Sequence, residues 1–130
     1  MYTYKAKCTR VVDGDTIDAS IDLGWDITIN KRIRLAGINA PESRTRDLEE
    51  KKLGLAAKER LKELMVNGDF ILESKEVGKY GRVLGNLIIQ SDDDSPININ
   101  NTLVKEGYAV EYDGGKRWHG IKFLSRFSLV

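Results

Sequence analysis

A mainly β fold is predicted for this 130-residue chain, a five-stranded barrel of the OB-fold type carrying two to three helices. Three observations support it: period-two alternation through the first third, one long amphipathic helical stretch in the middle, and two further strand-like runs followed by a short helix. Tyr2 to Val12 mixes β-branched, aromatic and basic residues, and Asp13-Gly14 supplies a turn before Thr16 to Leu23. There Ile17, Ala19, Ile21 and Leu23 alternate with Asp18, Ser20 and Asp22, so the odd-numbered face is expected to point inward. After a break at Gly24-Trp25, Ile27, Ile29, Ile33 and Leu35 resume the alternation up to Gly37. Asp47 to Met65 places Leu53, Ala57, Leu61, Leu64 and Met65 near helical spacing, and Asn67-Gly68 ends that helix. Phe70 and Leu72, then Val83 to Ile89, read as strands four and five. Asp92 to Asp94 suits a solvated loop, Asn98 to Glu106 a short helix closed by Gly107, and Tyr108 to Tyr112 an extended piece. Residues 1–112 are therefore expected to form one domain. Residues 113–130, with Lys116, Arg117, Lys122 and Arg126 among Trp118, Phe123 and Phe127, form a basic, aromatic tail that is not a separate domain.

Composition narrows the function classes. A 41% hydrophobic content supports a packed core, and 32% charged residues of balanced sign fit neither a disordered chain nor a membrane protein. The formal charge of +1 argues against binding nucleic acid by bulk electrostatics, while permitting a local basic cleft. No apolar run approaches the roughly 18 residues that span a bilayer. The first residues lack the order of a secretory signal, so the compartment stays open between cytoplasmic and secreted with a signal already removed. Cys8 alone makes neither a disulfide nor a zinc site and reads as a small buried hydrophobe, and the Asn100-Asn101-Thr102 sequon matters only in a secreted chain. His119, the one histidine, lies in the tail and is expected at the surface.

Three short segments could carry chemistry. Asp13-Gly14-Asp15-Thr16 is, by itself, an ordinary hairpin turn with solvated acids. Arg34-Leu35-Ala36-Gly37-Ile38-Asn39-Ala40-Pro41-Glu42 places an arginine, an amide oxygen and a carboxylate where sheet gives way to loop, and a surface Arg–Glu pair explains it equally well. Lys79-Tyr80-Gly81-Arg82 opens a strand with two cations around an aromatic, most often a solvated turn.

Together and in this order, the segments resemble the staphylococcal nuclease (thermonuclease-like) family, whose pattern is D-G-D-T, R-L-x-G-I-D-x-P-E, Y-G-R and an L-V-x-x-G helix. The chain supplies Asp13 to Thr16, Arg34 to Glu42, Lys79 to Arg82 and Leu103 to Gly107, so the similarity spans Tyr4 to Tyr112. The resemblance implies an OB-type barrel and a calcium-dependent phosphodiesterase that cuts the P–O5′ bond of DNA and RNA, leaving 3′-phosphates. It implies that Arg34 and Arg82 grip the phosphate, a task suited to planar guanidinium and poorly served by lysine. Glu42 then orients or deprotonates the attacking water. Asp15, Asn39 and the Ala40 carbonyl would hold Ca2+, a hard cation that takes oxygen ligands, with Asp13 behind them. Lys79 and Tyr80 would contact a terminal phosphate of the substrate. Two departures stand out: Asn39 replaces the family's aspartate, which removes one negative charge and should weaken calcium binding, and Gly78 replaces an aspartate that often precedes the third segment.

Three readings follow. The first is a metal-dependent nuclease acting on DNA and/or RNA, single strands favoured, with no membrane partner and a monomeric chain. The second is a catalytically weak or inactive module of the same fold that binds single strands, which Asn39 favours but the presence of both arginines and Glu42 does not. The third is a protein-interaction domain, supported at most by the aromatic and basic tail. Tyr112 is a candidate to stack on substrate bases, and Tyr108 suits the core equally well.

Overall fold

Strand β1 (Tyr2–Asp13) is long enough to serve two neighbours. Its Ala6–Asp13 half pairs antiparallel with β2 (Thr16–Asp22), while its Tyr2–Lys7 half pairs with β5 (Asp69–Val77). Register shifts between Cys8 and Arg10 and between Val11 and Asp13 bend it, as bulges do, and let one strand turn a barrel corner. The computed structural model describes residues 2–77, 82–93 and 95–112. Along them follow β3 (Thr28–Leu35), β4 (Ile38–Asn39), α1 (Leu48–Leu64), β6 (Val83–Gln90), β7 (Pro96–Asn98), α2 (Ile99–Lys105) and β8 (Val110–Glu111). The sheet order is β3-β2-β1-β5-β6-β7, and a parallel β3–β6 pairing closes β1, β2, β3, β5 and β6 into a five-stranded barrel. No helix among the described residues is long and apolar enough to cross a membrane.

Inward residues of the barrel, among them Ile17, Ala19, Ile33, Leu72 and Leu87, meet Ala57 and Leu61 of α1 and Ile99 and Leu103 of α2 in one core. Helix α1 starts where the Asp47 carboxylate accepts the Glu49 and Glu50 N–H groups, at 3.1 and 3.2 Å. Asn98 caps α2 in the same way through the Asn101 N–H. The Arg60 guanidinium donates twice to the Glu106 carboxylate, at 2.7 and 2.9 Å, and ties α1 to the end of α2.

The closing seam spans only three residue pairs, Ile33/Val83, Arg34/Leu84 and Leu35/Gly85, and is fastened from α2. Buried Asn100 donates its amide hydrogens to the Ala36 carbonyl at 2.9 Å and to the Gly85 carbonyl and Asn86 Oδ1 at 3.1 Å. Its own oxygen accepts the Leu87 N–H at 3.2 Å. The asparagine of the sequon is thus committed to the interior of the folded chain.

The structure departs from the sequence pattern in three places. Short strands β4, β7 and β8 add to the five of the barrel, and the extended Tyr108–Tyr112 piece contributes β8, which pairs with β4. Leu23, expected on the inward face, is 42% exposed, because the β2–β3 hairpin runs past the end of the core. Cys8 is half-buried rather than buried, and that burial pushes its thiol up from the ordinary value. The tail, including His119, lies outside the described residues.

Asn100→Ala should lower unfolding free energy by about 2 kcal/mol or more, because buried carbonyls and an N–H lose their partner; urea denaturation reads this. The hydrogen bonds from Arg60 hold the Glu106 carboxyl below its ordinary value of 4.5. That pair therefore contributes fully above the ordinary value and is lost as pH falls through the lower folded one. Glu106→Gln should flatten that part of the pH–stability curve by under about 1 kcal/mol, since the pair is partly solvated.

Candidate active site

The β1–β2 turn delivers Asp15 into the barrel's closing end. Residue 16 pairs with residue 34 across β2 and β3, and the Leu35 N–H donates to the Asp15 carbonyl at 2.9 Å, so Asp15 and Arg34 are neighbours by register. Their side chains are 6% and 16% exposed, and Arg34 Nη1 lies 3.3 Å from Asp15 Oδ2. The same Oδ2 accepts the Ala40 N–H at 2.8 Å, and Oδ1 accepts the Thr16 hydroxyl at 3.0 Å. Arg34 also donates through Nη1 to the Leu35 carbonyl at 3.2 Å and through Nη2 to Asn39 Oδ1 at 3.1 Å. Its guanidinium carbon sits 6.0 Å from the centre of the Tyr112 ring, at the outer limit of a cation–π contact. Tyr112 is brought there by its N–H bond to the Gly37 carbonyl at 2.9 Å, next to the β4–β8 pair.

Glu42 follows the buried Pro41 on the loop leaving β4, with its side chain exposed. The loop is held from behind. The buried Ser43 hydroxyl donates to the Asp13 carboxylate, and the Glu42 backbone lies directly on α1 at Gly54. A Cβ on Gly54 would stand 2.3 Å from the Glu42 carbonyl oxygen and 2.7 Å from the Ser43 nitrogen. One turn further along α1, a Cβ on Gly14 would meet the Ala57 Cβ at 2.6 Å and the Ala40 Cβ at 3.1 Å. The Asp13-Gly14 step thus needs its glycine for space against α1. Gly54 and Ser43 escaped the sequence reading, which placed Ala57 on the apolar face of the helix without its contact to Gly14; the available signal was a glycine inside a strong helical pattern.

Arg82, half-buried, immediately precedes β6, two residues before Leu84, which is the parallel partner of Arg34. The seam that closes the barrel therefore also brings the Arg82 segment beside β3. Asp15 touches Arg34 and Ala40, Arg34 touches Asn39, Glu42 stands on the adjoining loop, and Lys79 and Tyr80 lie outside the described residues.

Among the described residues no three His, Cys, Asp or Glu side chains cluster. A cation here would rest on a mixed set, the Asp15 carboxylate, the Asn39 amide oxygen and a backbone carbonyl such as that of Ala40. The set fits a hard cation in kind, being all oxygen. Both side-chain oxygens lie against Arg34, Asp15 Oδ2 at Nη1 and Asn39 Oδ1 at Nη2. The set carries a single formal negative charge.

The family model described as "Staphylococcal nuclease homologue" matches residues 32–122. The chain is 31% identical over 120 residues to "Protein ParB" of Escherichia coli, covering 89% of this chain and 59% of that protein. It is 35% identical over 115 residues to "Micrococcal nuclease" of Shigella flexneri, covering 84% and 59%. To "Endonuclease YhcR" of Bacillus subtilis (strain 168) it is 36% identical over 117 residues, covering 84% of this chain and 9% of that one. The chain thus spans about three fifths of the first two relatives and a small part of the third. With the four motifs, the closed five-stranded barrel and a family match over most of its length, the chain belongs to the staphylococcal nuclease homologue family, a nuclease-type family.

Proposed function

We propose that the chain is a calcium-dependent phosphodiesterase, active as a monomer, that cuts the P–O5′ bond of single-stranded DNA and RNA and leaves 3′-phosphates. The observation that carries this reading is Arg34, held from behind by Asp15 and Asn39 beside the Glu42 loop. A phosphodiester repels nucleophiles, and its charge grows as a fifth oxygen approaches phosphorus, so fixed donors at the non-bridging oxygens lower the barrier. Arg34 is already oriented by acceptors on one side, which reduces reorganisation when phosphate arrives. Arg82, from the other side of the seam, would add a second cation. Glu42, exposed at the loop's outer face, orients water and takes its proton as the new O–P bond forms and the P–O5′ bond breaks, O5′ leaving with a proton from solvent. When calcium is bound by Asp15, Asn39 and the Ala40 carbonyl, it supplies further positive charge at the phosphate.

A second reading, a module that binds single strands and cuts weakly, is favoured by the neutral Asn39 and by the existing pairing of Asp15 with Arg34. Hydrolysis of heat-denatured DNA and of RNA, with calcium and then with chelator, decides between the two. The enzyme reading requires cutting that chelator abolishes. Retention of single strands by a folded chain that cuts at no calcium concentration supports the module.

Glu42→Gln, which keeps the size of an exposed side chain, should reduce turnover by about 10²- to 10⁴-fold in a variant that still unfolds cooperatively on heating. An equal rate in the variant would remove Glu42 from the mechanism. Asn39→Asp should tighten calcium binding by restoring a formal charge among the oxygens. Titration calorimetry showing no gain would mean that residue 39 does not face the ion.

A further inference from the structure

Glu42 has an exposed side chain, so its place relative to Arg34 depends on how its backbone is held. The segment Ala40-Pro41-Glu42-Ser43 is tied at both ends to the two aspartates of the β1–β2 turn. At one end Asp15 Oδ2 accepts the Ala40 N–H at 2.8 Å. At the other, Asp13 Oδ1 accepts the hydroxyl of Ser43, a residue only 2% exposed. Between the two ties the buried Pro41 fixes one backbone angle, and the Glu42 carbonyl lies against Gly54. Beyond Ser43 the side-chain bonds are local: the Thr45 hydroxyl accepts the Asp47 N–H at 3.2 Å, and Asp47 caps α1. Ser43 is therefore the last side-chain anchor to a distant part of the chain before the helix begins, among the described residues.

The turn is built to meet this loop. The register of β1 against β2 passes from Val11/Ile17 to Asp13/Thr16, so β1 carries one extra residue, and Asp13 stands opposite Thr16 where Val12 would otherwise be. Val11 and Val12 are both buried, as such a bulge allows, and Asp13 is left half-buried beside Ser43. Among the described residues Asp13 makes no other hydrogen bond or ion pair. Alanine would fill the space of residue 43 without needing a partner, so what the hydroxyl adds is the bond to Asp13. We propose that Ser43 and Asp13 are a positioning pair for Glu42: their bond sets where the Glu42 carboxylate meets a phosphate held at Arg34, without touching the substrate. This rests on the nuclease reading above. It gives Asp13 a duty separate from any support of a cation at Asp15. A misplacement of about 1 Å is enough to cost about 10²-fold in rate.

Cleavage of a single-stranded DNA oligonucleotide by the full chain at saturating calcium tests the pair. Ser43→Ala should lower kcat by about tenfold to 10²-fold, with KM and the calorimetric calcium affinity within about twofold of wild type. Asp13→Ala should lower kcat to a similar extent, and it carries the same comparison if Ser43→Ala does not fold. Asp13→Asn, which keeps an oxygen to accept the Ser43 hydroxyl, should lose less. A group that acts only through Glu42 has nothing left to position once Glu42→Gln has removed the carboxylate, so adding Ser43→Ala to that variant should cost under about twofold. A full loss in the Glu42→Gln background, a loss confined to KM or recovered by more calcium, or an unchanged kcat overturns the pair. If the wild-type chain cuts nothing, the nuclease reading fails by itself, and nuclear magnetic relaxation decides the tether. The backbone order parameter of Glu42 should then fall from about 0.85 toward about 0.6 in Ser43→Ala, and an equal value in the two chains overturns it.

Discussion

The buried carboxylate of Asp15 is the constraint on which the site and much of its surroundings depend. A carboxylate out of water survives only with donors on its oxygens and a compensating charge nearby. Here the donors come from three parts of the chain: Thr16 at the start of β2, Arg34 at the end of β3 and the Ala40 backbone just past β4. Satisfying one charge therefore fixes the turn, the strand end and the exit loop relative to one another. It also means that Arg34 is structural before it is chemical. Removing it would leave Asp15 uncompensated, at a cost of about 3–5 kcal/mol. Glu42, by contrast, is exposed.

Two further devices hold this arrangement in place. Asn100 fastens the three-pair parallel seam between β3 and β6, and the seam is what sets the Arg34 and Arg82 segments side by side. Helix α1 presents Gly54 and Ala57 where larger side chains would be expected of a packing face, so the Glu42 backbone and the Gly14 turn come into direct contact with it. The site is thus shaped by what is missing from α1 as much as by what projects from the loops. Cross-braced by Arg60 and Glu106, the two helices act as a platform at one end of the barrel. The outer part of the β2–β3 hairpin leaves Leu23, Ile27 and Ile29 exposed.

The extent to which this was legible in the sequence follows from the range of each interaction. Period-two alternation between Ile17 and Ile21, and helical spacing from Ala57 to Leu61, reflect local backbone geometry, so β1, β2, β3, β6 and α1 could be located within a residue or two of their ends, whereas β5, read only at Phe70 and Leu72, runs on to Val77. Asp15, Arg34, Asn39 and Glu42 were singled out through the resemblance to the nuclease family, since each segment by itself reads equally well as a turn or a surface pair. Buried Asp15 could not be told from a solvated turn acid without knowing that Ala40 and Arg34 close over it.

Amino-acid order by itself determined which faces of the strands and of α1 are apolar, where turns interrupt them, and which residue types are available for phosphate chemistry. These properties arise within a few bonds of each residue. Tertiary structure alone decided that β3 and β6 meet in parallel, that Asn100 is a buried fastener and not a surface sequon, and that Gly14 and Gly54 are needed for close approach. It also decided that Leu23 and Ile27 face water although their pattern matches that of buried Ile17 and Ile21. The reason is that alternation specifies a face, whereas burial requires a partner on that face, and a partner distant in sequence is supplied only when the whole barrel closes.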